Sequence, residues 1–538
     1  MAWDYIIAGG GTAGCVLANR LSADGRSTVL MLEAGGSDRT PIVRIPAGEI
    51  FAIASRRYNW NYDAEPDPSL NGRVTKWPGG RVLGGSSSIN GMIYFRGQRE
   101  DYDDWARLLG DTGLWSHADV LPYFKRLESN EFGASEYHGE SGPLCASHIA
   151  TPHPLARAFI EAGVEIGIPR NPDMNGERQE GIGPIQGTIR RGRRHNTGLA
   201  YLRPARRRSN LTVVTHARVD RILFEGSRAV GVRYKRRGRI AEERASGEVI
   251  LSAGALASPT VLMRSGLGPE EPLRRLGISV LRHLPGVGKN LQENPIAFPG
   301  AFVNVSTHNT ELSPYRFVKN GLNWLLFGRG PAAGPVAHAG AFIRTRPDRE
   351  SRPDVQLQFF PVVYANEPGR PVRFLERPGV LVGVNACRPR SSSEISLRSP
   401  DPEDPPCIHS NLFADHDDVE RTIAGCRVVR EIFAARAFAP YFEQEFLPGP
   451  SVQSDAEYEQ FLRVGTLPAY HPVGTCKMGI GEDAVVDERL RVIGVERLRV
   501  VDASVMPVIP SANTNAPTIM VAERASDLIL EDRPRGSD

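Results

Sequence analysis

The sequence predicts an α/β domain combined with an α+β domain, and three observations support this fold class. The chain has 538 residues, and a single hydrophobic core seldom grows to that size, so two domains are expected. The N-terminus reads as a strand, a glycine-rich turn and a helix, which is the opening unit of a parallel sheet. Downstream segments such as PDVQLQFFPVV and SSEISLRS alternate apolar with polar residues, as strands do.

The N-terminal glycines have the spacing of a dinucleotide-binding fingerprint. The apolar run DYIIA, residues 4–8, passes into Gly9-x-Gly11-x-x-Gly14, the helix-compatible AGCVLANRLS follows, and the next apolar run TVLMLE ends at Glu33. These glycines allow a tight turn, close approach to a pyrophosphate and packing of helix on strand, while the acid binds ribose hydroxyls. We expect a Rossmann-like domain that binds FAD or NAD, because an acid there would repel the 2′-phosphate of NADP.

A long helix is predicted in the second half of the chain, over DDVERTIAGCRVVREIFAA, residues 417–435. Its apolar side chains recur at helical spacing, so that they share one face of the helix. The face consists of Val419, Ile423, Cys426 and Val429 with Val428 or Ile432.

Charge and cysteine content argue against several other classes of protein. The 65 basic and 62 acidic residues leave a formal charge of only +3, which does not suit a nucleic-acid binder. Arginine clusters occur at residues 190–194, 206–208 and 235–239. We expect them on solvated loops and hairpins, with an anionic partner as the alternative. The six cysteines contain no CxxC pair, so neither a disulfide framework nor a zinc cluster is expected.

No targeting or membrane-spanning segment is predicted. The N-terminus MAWDYIIAGGG lacks the basic region and the long apolar core of a secretory signal. The longest uncharged run, residues 503–522, contains Pro507, Pro510 and Pro517, which do not suit a helix across a bilayer. We therefore expect a cytoplasmic protein.

The segment HPVGTCKMG, residues 471–479, allows two interpretations of His471. Histidine, cysteine and methionine are the ligands of a blue-copper site, but such a site also needs a second histidine and a β-sandwich pattern. Neither is apparent, so no metal is expected and Cys476 and Met478 are predicted core residues. The other interpretation of His471 is a catalytic base, because the pKa of imidazole lies near working pH.

Several motifs together resemble the glucose-methanol-choline (GMC) family of flavin oxidoreductases. GGRVLGGSSSINGMIYFRG at residues 79–97 and GALASPTVLMRSGLG at 254–268 are similar to its two signature segments. The N-terminal fingerprint, HPVGTCKMG and VVDASVMPVIPSANTNAPTIMVAE at 500–523 occur in matching order. The resemblance extends from about Asp4 to about Leu530, which is nearly the whole chain.

This resemblance implies that the cofactor is FAD, and it assigns residues to it. The ADP half would be held by Gly9, Gly11, Thr12, Ala13, Gly14, Glu33 and Ala34. The pyrophosphate and isoalloxazine would be wrapped by the segment that contains Arg81, Gly85, Ser86, Asn90 and Gly91. Val219 would lie near the adenine, Asp502 and Ala503 near the ribityl chain and pyrophosphate, and Pro517 and Thr518 beside the flavin ring. Some relatives attach FAD covalently through a histidine where this chain has Ile89, so noncovalent FAD is expected.

The resemblance also implies the chemistry, which is oxidation of an alcohol. His471 would accept the hydroxyl proton while the α-carbon delivers hydride to flavin N5, and Asn515 would donate a hydrogen bond to the oxygen. Tyr470 and His338 are predicted pocket residues. Choline-oxidising relatives carry a glutamate where His338 stands, so a neutral primary alcohol, aliphatic or aromatic, is the expected substrate.

One segment departs from the family pattern. Many relatives have NLQDHP where this chain has NLQENP, with Glu293 and Asn294 in place of the aspartate and histidine. We expect this change to affect contacts between the domains and not the predicted catalytic pair.

Other functions within the family stay open at this point. The stretch NACRPRSSS around Cys387 resembles the matching stretch of light-driven fatty-acid decarboxylases. Those enzymes, however, lack a histidine at the position of His471. Hydroxynitrile lyases use FAD structurally and a histidine for proton transfer. The electron acceptor of an oxidoreductase would be oxygen, a quinone or another compound.

The resemblance implies a discontinuous domain division. The FAD-binding domain would consist of residues 1–155, 212–300 and 465–538, and residues 156–211 and 301–464 would form the substrate domain. In relatives the substrate domain is an antiparallel sheet flanked by helices.

Overall fold

The structure, a computed structural model, describes residues 2–312, 314–365 and 373–533. The helices are α1 (Thr12–Leu21), α2 (Pro41–Arg44), α3 (Glu49–Ala54), α4 (Arg99–Leu108), α5 (His117–Leu127), α6 (Pro154–Glu165), α7 (Arg203–Ala205), α8 (Ser258–Arg264), α9 (Glu270–Arg275), α10 (Pro314–Phe327), α11 (His416–Ala434), α12 (Asp455–Gly465) and α13 (Asn515–Glu531). The strands are β1 (Trp3–Ala8), β2 (Val29–Glu33), β3 (Tyr62–Asp63), β4 (Lys76–Trp77), β5 (Glu128–Asn130), β6 (Leu144–His148), β7 (Gly181–Pro184), β8 (Gln186–Gly187), β9 (Ile189–Arg190), β10 (Arg193–Arg194), β11 (Leu211–Thr215), β12 (Ala217–Glu225), β13 (Arg228–Arg236), β14 (Arg239–Leu251), β15 (Leu267–Gly268), β16 (Arg282–His283), β17 (Pro295–Ala297), β18 (Gly300–Val303), β19 (Ala339–Ile343), β20 (Val355–Phe360), β21 (Tyr364–Ala365), β22 (Arg373–Phe374), β23 (Gly379–Ala386), β24 (Glu394–Ser396), β25 (Cys407–His409), β26 (Phe442–Leu447), β27 (Leu467–Pro468) and β28 (Leu498–Val500).

The first large sheet has a parallel part, whose strands come from distant segments of the chain. Its parallel part has the order β11, β2, β1, β14 and β28, and β13 and β12 extend β14 as an antiparallel meander. Strands β1 and β2 are almost entirely buried, as expected for parallel strands that are covered on both faces. Helices α1, α5 and α13 pack together at this sheet, which gives the predicted Rossmann-like arrangement.

The second large sheet is antiparallel. It has the order β26, β18, β23, β20, β19 and β7, and β17 adds to β23 and carries β27. Helix α11 packs on β20 and β23, and α6 packs on β7 and β19. The predicted fold class, an α/β domain with a second domain on an antiparallel sheet flanked by helices, is confirmed.

Helix α11 has the apolar face that its spacing predicts. Val419, Ile423, Cys426, Val429 and Ile432 are all buried. The buried carboxylate of Asp418, one position before this face, accepts hydrogen bonds from the backbone of Arg390 and Ser391. Packing and polar contacts therefore attach the start of the helix to the loop after β23.

The predicted domain division stays a proposal. Strands β17 and β27 belong to the antiparallel sheet, although they lie at the ends of segments predicted for the FAD-binding domain. Conversely, the turn at residues 198–202 packs against α1, although it was predicted in the substrate domain. Short segments near these borders therefore cross from one layer to the other.

The cysteines and the HPVGTCKMG segment have defined positions in the fold. All six cysteines are free, and Cys476 and Met478 belong to the core around the parallel sheet. Within the described parts of the chain, no helix is both long and apolar enough to cross a bilayer, and no cluster of three or more histidine, cysteine or acidic side chains is suited to a metal ion. A frayed end is expected for the tail EDRPRGSD, residues 531–538, of which residues 534–538 lie outside the described part of the chain.

Candidate active site

A cavity of about 1550 Å³ lies at the carboxyl ends of the parallel strands. It is lined by Gly9 after β1, Glu33 at the end of β2, Gly254 after β14 and Asp502 after β28. Residues of the antiparallel sheet, such as Phe360, form its other side. Open α/β sheets bind ligands at this edge, and the volume exceeds the roughly 300–1,000 Å³ that a single small ligand occupies. A dinucleotide and a substrate together fit such a space.

The fingerprint end of the cavity is built for a closely approaching ligand. Gly9 has φ +119°, and a Cβ there would lie 2.3 Å from the carbonyl oxygen of Ser252. A Cβ on Gly14 would lie 1.9 Å from the carbonyl oxygen of Gly9, so no side chain fits where α1 meets β1. Glycine at both positions leaves the backbone N–H groups at the start of α1 open to a pyrophosphate.

Glu33 has the buried position expected of a ribose-binding acid. Its two oxygens accept hydrogen bonds from the backbone N–H groups of Gly10 at 2.9 Å and Gly35 at 2.6 Å. Burial raises the pKa of this carboxyl to about 7, although the two backbone N–H groups counteract the shift. A carboxylate has further acceptor capacity on each oxygen, so the ribose hydroxyls of FAD fit beside these contacts.

Two other contacts hold the predicted cofactor segments in place. Asp502 accepts hydrogen bonds from the backbone of Gly254 at 2.9 Å and from the Ser258 hydroxyl at 2.6 Å, and so joins the C-terminal motif to the second signature segment. Arg194 donates to the carbonyl oxygen of Asn90 at 2.6 Å and to its side-chain oxygen at 2.7 Å. The expectation of a solvated arginine cluster is therefore wrong for Arg194, which is buried and supports the first signature segment.

Most of the predicted site residues meet in this one cavity. Its lining includes Gly9, Gly11, Thr12, Ala13, Glu33, Ala34, Gly85, Ser86, Asn90, Gly91, Val219, Tyr470, His471, Asp502, Ala503, Asn515 and Thr518. The predicted residues that do not line it are Gly14, Arg81, Pro517 and His338. Gly14 contributes packing, and Arg81 stacks over Trp60 with 4.7 Å between the guanidinium carbon and the ring centroid.

His471 lies on the cavity wall and is held from three sides. Its backbone N–H donates to both carboxyl oxygens of Glu293, at 2.9 and 2.8 Å. Its ring nitrogen Nδ1 lies 3.1 Å from Oδ1 of Asn294, and Nε2 lies 2.9 Å from Nδ2 of Asn513. Burial lowers the pKa of His471 to about 4, so its imidazole is neutral at neutral pH.

The neighbouring amides determine which ring nitrogen of His471 carries the proton. Asn294 donates through Nδ2 to the carbonyl oxygen of Ala386 at 2.8 Å, which turns its Oδ1 toward His471. An amide oxygen is only an acceptor, so Nδ1 of His471 is protonated and Nε2 carries the free electron pair. Asn513 is oriented in the same sense, because its Oδ1 accepts from Gln356 at 3.2 Å.

The expectation that the NLQENP change would not affect His471 is wrong. Both altered residues, Glu293 and Asn294, contact His471 directly because segments 290–295 and 469–473 run side by side. Burial raises the pKa of Glu293 to about 8, opposed by the N–H groups of His471 and Asn294.

Of the two asparagines in the C-terminal motif, Asn513 is the one in contact with His471. Asn515, at the start of α13, accepts a hydrogen bond from the Thr12 hydroxyl at 3.2 Å. Both asparagines line the cavity. The sequence motif did not distinguish Asn513, because the two residues are separated by one position and only the fold shows which amide turns toward the histidine.

Aromatic side chains line the cavity beyond His471. Phe298 lies with its ring centroid 6.0 Å from that of Phe360 and 6.3 Å from that of Tyr364, and Tyr470 completes this part of the lining. The prediction of His338 as a pocket residue is not supported: its side chain is buried against His308, with 4.9 Å between the rings, and its Nδ1 accepts from the backbone of His153. Burial and the two neighbouring histidines keep its pKa well below the ordinary value.

Glu49 and Ile89 also line the cavity. The sequence pattern did not indicate Glu49, and Ile89 concerns the attachment of FAD. Glu49, at the start of α3, is buried with one carboxyl oxygen that has no hydrogen-bond partner among the described residues, and burial raises its pKa to about 8. Ile89 packs with Val43 and Tyr58 and has no nucleophilic atom.

Comparison with known proteins is consistent with this geometry. Sequence models of the GMC oxidoreductase family match residues 3–296 and 389–522. The chain is 44% identical to the mitochondrial choline dehydrogenase of Mus musculus over 546 residues, which cover 99% of this chain and 91% of that protein.

Solved structures show the same fold. Pyridoxine 4-oxidase from Mesorbium loti has a TM-score of 0.89 at 30% identity, with 99% of this chain and 100% of that chain covered. A formate oxidase variant of Aspergillus oryzae RIB40, studied for modification of its FAD, has a TM-score of 0.90 at 26% identity, with 99% and 98% covered. These matches confirm the resemblance that the motifs predict. The chain belongs to the GMC oxidoreductase family.

Proposed function

We propose that this FAD-dependent oxidoreductase converts a primary alcohol to an aldehyde with His471 as the catalytic base. Its family membership makes it an FAD-dependent enzyme that oxidises alcohols. The role of each residue, the substrate and the electron acceptor are the proposal. The single observation that supports it best is the orientation of His471, whose free electron pair on Nε2 points toward the cavity side that holds Asn513.

His471 is suited to remove the hydroxyl proton. Its neutral imidazole has Nδ1–H committed to Asn294, so Nε2 is the only ring atom that can accept a proton. A hydroxyl placed between Nε2 and Nδ2 of Asn513, which are now 2.9 Å apart, would donate to the imidazole and accept from the amide. The amide would stabilise negative charge on the oxygen as the proton leaves.

Asn515 is the second proposed donor to that oxygen. Its amide lies in the same cavity, where it is held by the Thr12 hydroxyl. Because its Oδ1 accepts from Thr12, its Nδ2 is the group that would donate to a developing alkoxide, and such a bond is strong because the acceptor is charged.

The cavity residues fit FAD as the cofactor. The glycine turn, Glu33 and Asp502 would hold it in the arrangement described above. When bound, FAD supplies the acceptor for the two electrons that leave the alcohol carbon. We propose noncovalent binding, since Ile89 replaces the histidine of covalent relatives. Denaturing the protein and separating the yellow fraction by filtration would test this, because a covalent flavin would stay with the protein.

The proposed substrate is a neutral primary alcohol with an apolar aliphatic or aromatic body. The aromatic lining formed by Phe298, Phe360, Tyr364 and Tyr470 would cover such a body. A choline-like cation is the second candidate, because the relatives include choline dehydrogenases and aromatic faces also attract quaternary ammonium groups. Burial raises the pKa of Glu49 to about 8, and a bound cation would lower that pKa and so give this carboxyl its negative charge.

An anaerobic absorbance measurement tests this proposal. The purified protein is mixed with benzyl alcohol, a linear 1-alkanol or choline, and the flavin bands are followed before and after air is admitted. We expect bleaching with a neutral alcohol, and fast recovery in air would identify oxygen as an acceptor, in preference to a quinone or another compound. Bleaching by choline alone would select the second candidate. The relatives give no support to a hydroxynitrile lyase or a photodecarboxylase, and a flavin that no alcohol bleaches would contradict the proposed oxidation.

A further inference from the structure

One surface of the molecule presents its apolar side chains to solvent. On α10, residues Tyr315, Val318, Leu322 and Leu325 follow one another at helical spacing and are 52–78% exposed. Leu326 and Phe327 extend the same surface and are 68% and 69% exposed. A surface helix of a globular protein normally turns its apolar stripe toward the core. This outward stripe, residues 315, 318, 322 and 325–327, is called the α10 face below.

The α10 face is fixed next to the arginine-rich hairpin β9–β10. The indole N–H of Trp324 donates to the carbonyl oxygen of Gly192 at 2.7 Å, and the guanidinium of Arg193 lies 5.4 Å from the centre of the Trp324 ring. Gly192 and Gly328 approach so closely that a Cβ on Gly192 would lie 2.1 Å from the carbonyl oxygen of Gly328. The position of the helix beside the hairpin is therefore defined by packing and a hydrogen bond.

A positively charged groove runs along this junction. Its lining contains nine arginines and the side chains of residues 324–327, and no aspartate or glutamate of the described residues lines it. Arg190, Arg191, Arg193, Arg206 and Arg207 are exposed; they are called the arginine rim. Uncompensated positive charge beside an exposed apolar helix is the pattern of helices that lie in the headgroup region of a bilayer.

We propose that the α10 face and the arginine rim together dock the protein on a membrane surface that contains anionic phospholipids. The apolar side chains would enter the boundary between headgroups and acyl chains, and the arginines would bind lipid phosphates. Nucleic acid would use the arginines and leave the apolar face uncovered. A second copy of this chain would bring the arginine rims of both molecules together, which charge repulsion opposes.

The proposed docking surface is connected to the rim of the active-site cavity. The turn after α10, residues 331–333, packs against the turn at residues 46–48, and α3 follows directly. Phe51 of α3 is 54% exposed and also lines the cavity. Directly packed turns therefore link the α10 face to this part of the cavity lining.

Co-sedimentation of the FAD-loaded protein with vesicles tests this proposal. Vesicles of phosphatidylcholine with phosphatidylglycerol are compared with vesicles of phosphatidylcholine alone, at low and high salt. We expect binding to the anionic vesicles only, weakened by salt because exposed charges are screened. The triple variant Arg191→Gln, Arg206→Gln, Arg207→Gln should bind on the order of 100-fold more weakly, at about fivefold per arginine.

Matched variants show whether vesicle binding requires this surface or only positive charge anywhere on the protein. Arg236→Gln, Arg237→Gln, Arg239→Gln removes equal charge from the exposed β13–β14 hairpin and should bind vesicles as the unmodified protein does. Leu326→Asp with Phe327→Asp should abolish binding, whereas Ile480→Asp, at another exposed apolar residue, should not. All four variants should oxidise a water-soluble alcohol at the unmodified rate, which shows that they are folded.

Three results would overturn the proposal. In the first, the protein does not sediment with anionic vesicles at low salt. In the second, the two arginine triple variants lose binding equally. In the third, Leu326→Asp with Phe327→Asp changes the molecular mass in solution from dimer to monomer while no vesicle binding is seen. The last result would identify the α10 face as a contact between two copies of the chain.

Discussion

Asn294 is expected to determine the basicity and the tautomer of His471, and its replacement tests the proposed mechanism most directly. Asn294→Leu has a similar volume but removes the acceptor for the Nδ1–H of His471 and the donor to Ala386. A buried donor left without a partner costs about 1–3 kcal/mol. If this cost falls on the active tautomer, the rate of alcohol oxidation falls roughly 5- to 150-fold, since about 1.4 kcal/mol corresponds to a factor of ten.

Asn294→Asp gives an independent prediction from the same contact. Aspartate keeps an acceptor for Nδ1–H but adds a negative charge beside a ring whose pKa is about 4 in the unmodified protein. An opposite charge at this distance raises a histidine pKa by about 1–3 units. A protonated imidazole cannot act as a base, so the rate of the variant should fall as pH drops below about 6, whereas the unmodified enzyme should keep its rate to about pH 5.

The measurement is the rate of flavin bleaching by excess alcohol in a stopped-flow instrument, across a range of pH. Asn385→Leu is the matched control, because Asn385 is equally buried and donates to the same carbonyl oxygen of Ala386 at 3.2 Å without contacting His471. It should lose stability but not show the changed pH profile. If Asn294→Leu reacts at the unmodified rate and Asn294→Asp has an unmodified pH profile, then Asn294 does not orient the base.

The remaining predictions concern single residues of the cavity. His471→Ala should keep FAD, seen in its absorbance spectrum, and oxidise alcohol about 10²-fold or more slowly; an unchanged rate would remove His471 from the mechanism. Asn513→Ala and Asn515→Ala should each slow oxidation by about 10²-fold, as loss of a donor to developing negative charge does, and a variant without this loss does not provide that donor. Glu49→Gln should stabilise the protein at alkaline pH. Burial raises the Glu49 pKa to about 8, so its stability contribution, present below its unfolded pKa of about 4.5, is lost as pH rises to about 8. Chemical unfolding should therefore show a gain of up to about 4 kcal/mol at pH 8 and almost none near pH 4.5; equal effects at both pH values would contradict this reasoning.

Sequence patterns were sufficient for the local elements of this fold. The fingerprint predicted β1, α1 and β2 because strand, turn and helix are encoded by neighbouring residues. The helix predicted over residues 417–435 is α11, at His416–Ala434, and its apolar face is buried. Family resemblance added the cofactor, the second sheet and the meeting of distant motifs in one cavity, which no local pattern contains.

Contacts between distant segments explain what the sequence did not show. Asn294 and His471 are 177 positions apart, so nothing local indicates that the altered NLQENP segment supports the base. Arg194 stands in a run of arginines that looks solvated, and only the fold buries it against Asn90. His338 follows a proline-containing loop, and its orientation depends on packing with His153 and His308.

The order of strands in the parallel sheet has a consequence for biosynthesis. Strand β28, at residues 498–500, closes one side of β14, and β14 in turn pairs with β1 at the other end of the chain. The ribosome therefore releases nearly the whole polypeptide before the nucleotide-binding half has all its partners. Until then, the edge of β14 that pairs with β28 and the surface of α1 that α13 covers face the solvent. We expect nascent chains to depend on chaperones through most of translation, and chains that stop before β28 to aggregate rather than to accumulate as folded fragments.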